Sequence, residues 1–209
     1  GKSVWSQRFA AGFCEAGNYV SYMTPELTAR EFISQMTSLG YESVDHLLNR
    51  RLLFLHADID TKEYLDGYGS YRELLSRLVN ANQMWTADII ILDGFASILR
   101  SDPEMDSIIA NDEGDHAMQN FVSFLRKLTA QGKTVVLTAN NEAVNRDTMR
   151  PIRSAADVYF EIEKSQMGSE IRRNIKVHRY SNRTQQVDDQ IGFKVQAGTG
   201  LIIESRTIA

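Results

Sequence analysis

Ala87-Asp88-Ile89-Ile90-Ile91-Leu92-Asp93 sets an unbroken aliphatic run, residues 89–92, directly before a carboxylate. Successive side chains of a strand point to opposite faces, so such a run predicts a strand buried on both sides. Strands of this kind belong to parallel sheets sandwiched between helices, and the loop at their C-terminal end is where such sheets place ligands.

The neighbouring segments agree. Ahead of the run, Trp5, Phe9, Phe13 and Ala16 recur at helical spacing until Gly17-Asn18. Residues 19–23 are β-prone, and Leu27, Phe32, Met36 and Leu39 return to helical spacing before Gly40. Residues 52–56 then read as a strand and 71–79 as a helix. Behind the run, 121–128 reads as a helix and 135–138 as a strand introduced by Gln131-Gly132-Lys133. This alternation predicts a doubly wound α/β domain. Beyond about residue 155 the pattern changes: 158–162, 171–180, 192–196 and 201–204 alternate as hairpin strands, predicting a C-terminal antiparallel β-meander. The polar stretch 101–116 reads as a surface loop suited to binding or gating.

A chain of 209 residues with 43% apolar and 24% charged residues fits one soluble domain with a sizeable core. Its formal charge of −4 disfavours nucleic acid as a partner. The single cysteine, Cys14, falls on the apolar spacing of the first helix and reads as core. No stretch approaches the roughly 20 apolar residues of a membrane span, so a cytoplasmic protein is expected, reaching a membrane only through partners.

Gly1-Lys2-Ser3 precedes the first helical pattern. A lysine and a hydroxyl at a helix start can hold phosphates and a magnesium ion, where free N–H groups also favour anions. On that reading Gly1 and Lys2 bind the phosphates of ATP, Ser3 binds magnesium, and Asp93 binds magnesium through water. Either motif alone is weak, since a strand-ending Asp can equally cap a turn; the pair is more specific than either member. The phosphate-loop pattern needs a strand and five residues ahead of Gly1. The expected unit is therefore a single domain over 1–209 lacking its first strand and the first part of that loop.

Three further candidates carry two readings each. Glu26 follows the strand at 19–23 and can polarise an attacking water, or can serve the helix dipole within Thr24-Pro25-Glu26. Thr138 and Asn140 end the next strand as phosphate sensors or as turn residues. Lys176 and Arg179, with His178 and Arg183 in the one basic stretch, can act on a neighbouring subunit's nucleotide or form a solvated hairpin.

Gly1-Lys2-Ser3, Tyr22-Met23-Thr24-Pro25-Glu26-Leu27-Thr28, the run ending at Asp93, Gly192-Phe193-Lys194-Val195 and Gly198-Thr199-Gly200-Leu201 occur in the order found in RecA-like ATPases of the KaiC group. Within it the chain most resembles the ATP-binding accessory proteins of the archaeal flagellum, or archaellum, over essentially its whole length. The resemblance implies a RecA-like P-loop NTPase core, ATP with magnesium, and a homo-oligomeric ring at the cytoplasmic face of the membrane platform beside the motor ATPase FlaI. Two departures stand out. Glu26 is followed by Leu27 where related domains often carry paired glutamates, which implies weak or no hydrolysis and a nucleotide-switched regulator. Val177 stands where the family's trans-acting lysine would be. An active KaiC-like ATPase or autokinase is the alternative, and a RecA/RadA-type recombinase is disfavoured by the acidic balance.

Overall fold

The computed structural model describes residues 1–57, 71–100, 112–140, 146–167, 170–181 and 190–204. Its elements run α1 (Lys2–Glu15), β1 (Val20–Thr24), α2 (Ala29–Ser38), α3 (Val44–Leu48), β2 (Leu52–His56), α4 (Tyr71–Val79), β3 (Ile89–Leu92), α5 (Phe95–Arg100), α6 (Asp112–Ala130), β4 (Thr134–Leu137) and α7 (Arg146–Ala155). Four strands follow: β5 (Val158–Met167), β6 (Glu170–Tyr180), β7 (Gln190–Gln196) and β8 (Gly200–Glu204).

The first four strands form a parallel sheet in the order β2-β1-β3-β4. Its two centre strands, β1 and β3, are buried at every position. The aliphatic run divides between two cores as strand alternation requires. Ile89 and Ile91 pack with Tyr22, Phe32, Met36 and Ala10 beneath α1 and α2. Ile90 and Leu92 pack with Phe95, Phe121, Leu75 and Ile152 on the α4, α6 and α7 side. Cys14 belongs to the first core, and burial pushes its thiol up to about 11.

The last four strands form the expected antiparallel meander, β5-β6-β7-β8. It is joined to the first sheet through α1: the Trp5 ring meets Phe193 edge-on at 5.5 Å and lies 6.4 Å from Phe160. The β7–β8 turn closes on α2, where Gly198 N–H donates to the Ser38 carbonyl at 2.8 Å and Leu201 N–H to the Tyr41 hydroxyl at 2.9 Å. Gly40, at φ +76°, faces the Gly198 carbonyl so closely that a side chain there would collide with backbone.

The stretch expected as a polar loop is in part helix. Residues from Asp112 onward, His116 included, are the first turns of α6, while 101–111 lie outside the described residues, as does Arg183. Short helices at Val44–Leu48, Phe95–Arg100 and Arg146–Ala155 were also not expected from the sequence.

α2 opens with a capping box. Thr28 Oγ1 accepts from Glu31 N–H at 3.4 Å, while Glu31 Oε2 accepts from Thr28 N–H at 2.8 Å. The backbone bond from Thr28 holds the Glu31 carboxyl below its ordinary range. Its contribution is therefore complete above the ordinary carboxylate range and is lost as pH falls through the lowered value. Thr28→Ala should destabilise the protein by about 1 kcal/mol, read as a lower midpoint in urea unfolding.

Candidate functional site

α1 begins without a side-chain cap on Gly1 and without an acidic residue in its first turn. Its leading N–H groups and the positive end of its dipole are unspent, which suits an anion. Lys2 is exposed there, and the Ser3 hydroxyl bonds to no described group.

Asp93 faces this helix from the end of β3 at 2% exposure. Its Oδ1 accepts from the Thr138 hydroxyl at 2.6 Å and the Ser6 hydroxyl at 3.3 Å, and its Oδ2 accepts from the Tyr22 hydroxyl at 2.7 Å. Burial first, then the Asp93 charge and hydrogen bond, drives the Tyr22 hydroxyl far above its ordinary range, so it stays a donor. Ser6 and Tyr22 did not emerge from the sequence. Ser6 was visible one turn beyond Lys2 on the helix, and Tyr22 as the polar-tipped residue of a strand otherwise read only for its apolar pattern.

The chain leaves Asp93 through Gly94, at φ +80°. Gly94 N–H donates to Thr138 Oγ1 and Phe95 N–H to the Thr138 carbonyl, both at 2.9 Å. Thr138 thus pins the β3 turn to the end of β4, and exposed Asn140 lies two residues further on. Glu26 reaches the same turn: a Cβ on Gly94 would stand 2.9 Å from Glu26 Oε1, which accepts from Ser97 Oγ at 2.9 Å. Lys2, Ser3, Asp93, Glu26 and Thr138 therefore lie at one edge of the parallel sheet.

Lys176 and Arg179 are not brought there. Lys176 stands opposite Glu161, on the other face of the meander from Ile162 and Ile175. Arg179 donates to the carbonyls of Arg153, Ser154 and Ala156 at 3.3, 2.8 and 3.2 Å, capping α7.

Lys2, Arg173 and Lys164 bring positive charge to the neighbourhood of Gly1, opposed by Asp93. Among the described residues no group of three or more His, Cys, Asp or Glu side chains converges to hold a metal. One carboxylate and one hydroxyl do fit magnesium, which keeps much of its water and takes its remaining ligands from phosphates.

Beside α1 a cleft of about 1080 Å³ runs between β4 and β5, walled by Thr134–Asn140 on one side and Val158–Glu163 on the other. β4 pairs only with β3 and β5 only with β6 among the described strands, so each turns an unpaired edge to the cleft. The indole N–H of Trp5, a lining residue, is buried without an acceptor.

No protein-family model matches the chain. Curated relatives do. The archaeal flagellar ATP-binding protein FlaH of Methanocaldococcus jannaschii is 26% identical over 211 residues, spanning 100% of this chain and 84% of its own length. That of Methanococcus voltae is 25% identical over 209 residues, spanning 100% and 85%. That of Sulfolobus acidocaldarius is 22% identical over 203 residues, spanning 96% and 82%. The chain resembles FlaH. The crystal structure of flagellar accessory protein FlaH from M. jannaschii superposes with a TM-score of 0.79 at 24% identity, over 99% of this chain and 85% of the other. A KaiC-like protein from Pyrococcus horikoshii gives 0.68 at 16%, over 98% and 84%. The fold is thus the RecA-like, KaiC-type α/β core that FlaH shares.

Tyr22→Phe keeps the ring between Phe32 and Phe54 but strips one donor from buried Asp93. It should cost about 1–3 kcal/mol of unfolding free energy in chemical denaturation.

Proposed function

We propose that this chain binds ATP with magnesium and acts as a nucleotide-switched regulatory component of the archaellum motor. The observation that carries the reading is the pairing of an uncapped helix start bearing Lys2 and Ser3 with the buried, three-fold hydrogen-bonded Asp93. The names of the FlaH relatives supply the archaellum and the ATP. In this reading Gly1 and Lys2 hold phosphate oxygens, Ser3 holds magnesium directly, and Asp93 orients the ion's water. Bound magnesium would neutralise charge on the terminal phosphates. Thr138 and Asn140 sense the phosphate end.

Nucleotide then governs assembly into a homo-oligomeric ring and docking to the motor ATPase FlaI at the cytoplasmic face of the membrane platform. Lys176, on the face of the meander away from Ile162 and Ile175, is the candidate for contact with a neighbouring subunit, while Arg179 is engaged at the end of α7. Among the described residues no helix is long and apolar enough to cross a membrane.

The position of Glu26 against Gly94 favours a second reading, an active KaiC-like ATPase or autokinase in which Glu26 polarises water. In the full-length protein, Lys2→Ala should abolish most ATP binding in a titration; binding equal to the parent's would remove the phosphate site. Glu26→Gln separates the two functional readings. Negligible turnover in parent and variant alike, with binding intact, fits the switch, whereas a substantial parental turnover lost in the variant fits the enzyme.

A further inference from the structure

The meander carries a second cationic pair, apart from Lys176 and Arg179, near the start of α1. Ile162 stands opposite Ile175, and two residues along β5 Lys164 stands opposite Arg173, which in turn faces Phe193 on β7. Directly paired residues share a sheet face and every second residue returns to it. Ile162, Lys164, Arg173 and Phe193 therefore lie on one face, the face on which α1 rests.

The direction of α1 across that face decides where the two cations stand. Trp5 lies by Phe160 of β5, with Phe193 of β7 beside it at 5.5 Å, and one turn towards its start the helix brings Gly1 over Ile162 and again Phe193, both 3.5 Å from a Cβ built on Gly1. Going from Trp5 back to Gly1 thus follows β5 from Phe160 to Ile162. One more strand repeat, about 7 Å, sets Lys164 and its partner Arg173 ahead of the helix N-terminus, where an anion held by α1 would sit. Their positive charges are felt at Gly1.

Neither side chain makes an ion pair or hydrogen bond with a described residue. Like charges opposite one another on a sheet are destabilising, and Lys2 adds a third to the same space. An anion with several charges offsets that repulsion.

We propose that Lys164 and Arg173 contact the phosphates of the nucleotide in cis, as positioning cations contributed by the same chain that carries Lys2. The proposal rests on the reading of Gly1, Lys2 and Ser3 as a phosphate site, and its test separates the two. ATP and inorganic tripolyphosphate are titrated against the full-length parent, Lys2→Ala, Lys164→Gln and the double variant Lys164→Gln/Arg173→Gln, with thermal unfolding followed in parallel. The double variant should bind both ligands at least tenfold more weakly and with a shallower dependence on salt. Because Lys164 is exposed, Lys164→Glu should fold normally and bind both ligands more weakly than Lys164→Gln.

Binding within twofold of the parent by the double variant or by Lys164→Glu, while Lys2→Ala has lost it, overturns the assignment of the pair and leaves the phosphate site standing. Weakened ATP binding with unchanged tripolyphosphate binding also overturns it, since the contact would then be to the nucleoside. Parental binding by Lys2→Ala removes the site and the proposal together.

Discussion

The arrangement depends on a carboxylate taken out of water. Asp93 is buried where β3 ends, and a buried carboxylate is tolerated only when its oxygens are met by donors. The donors come from three separate elements: Ser6 of α1, Tyr22 of β1 and Thr138 just past β4. Satisfying one charge therefore fixes the start of the first helix against two strand ends. The same Thr138 accepts from Gly94 N–H, so the turn that carries the chain away from Asp93 is tied into the network. A polar group that is expensive to bury becomes a device for registering a helix on a sheet.

The parallel sheet could be read from residues because its signal is local. Ile89 to Leu92 are apolar at adjacent positions, and each finds a core on its own side. α7 could not be read that way. Within Arg146–Ala155 the buried apolar residues are Met149 and Ile152, and Pro151 lies inside the helix, where a sequence pattern takes it for a stop. The start of α6 is hidden for a related reason. Its first turns, from Asp112, are polar, and its apolar stripe begins only at Met118 with Phe121 and Val122. Such segments are helical because the remainder of the element packs, a tertiary cause that local propensity does not contain.

The candidate site was legible in proportion to how far its residues are concentrated at strand and helix ends. Gly1, Lys2, Ser3, Glu26, Asp93 and Thr138 all occupy such ends, and the fold gathers them at one edge. Cations inside the meander were harder to sort, because which of them faces α1 depends on register and on the irregularity between Tyr159 and Phe160. Lys176 and Arg179 drew attention as members of the one basic stretch, yet Arg179 is committed to the carbonyls that end α7. Lys164 and Arg173 are separated by eight residues in sequence and become neighbours only through the hairpin.

The two acidic groups at the sheet edge are built for different work. Asp93 accepts from three hydroxyls, so most of the lone-pair capacity of its two oxygens is committed and its position is fixed. In the proposed reading that suits a group that orients a hydrated ion. Glu26 is exposed, holds a single side-chain donor in Ser97, and keeps acceptor capacity in hand. Gly94 separates the two, and the Glu26 carboxylate lies where a Cβ on Gly94 would crowd it. Where Glu26 stands at this edge is set by its bond from Ser97 and its closeness to the Gly94 turn rather than by the buried network.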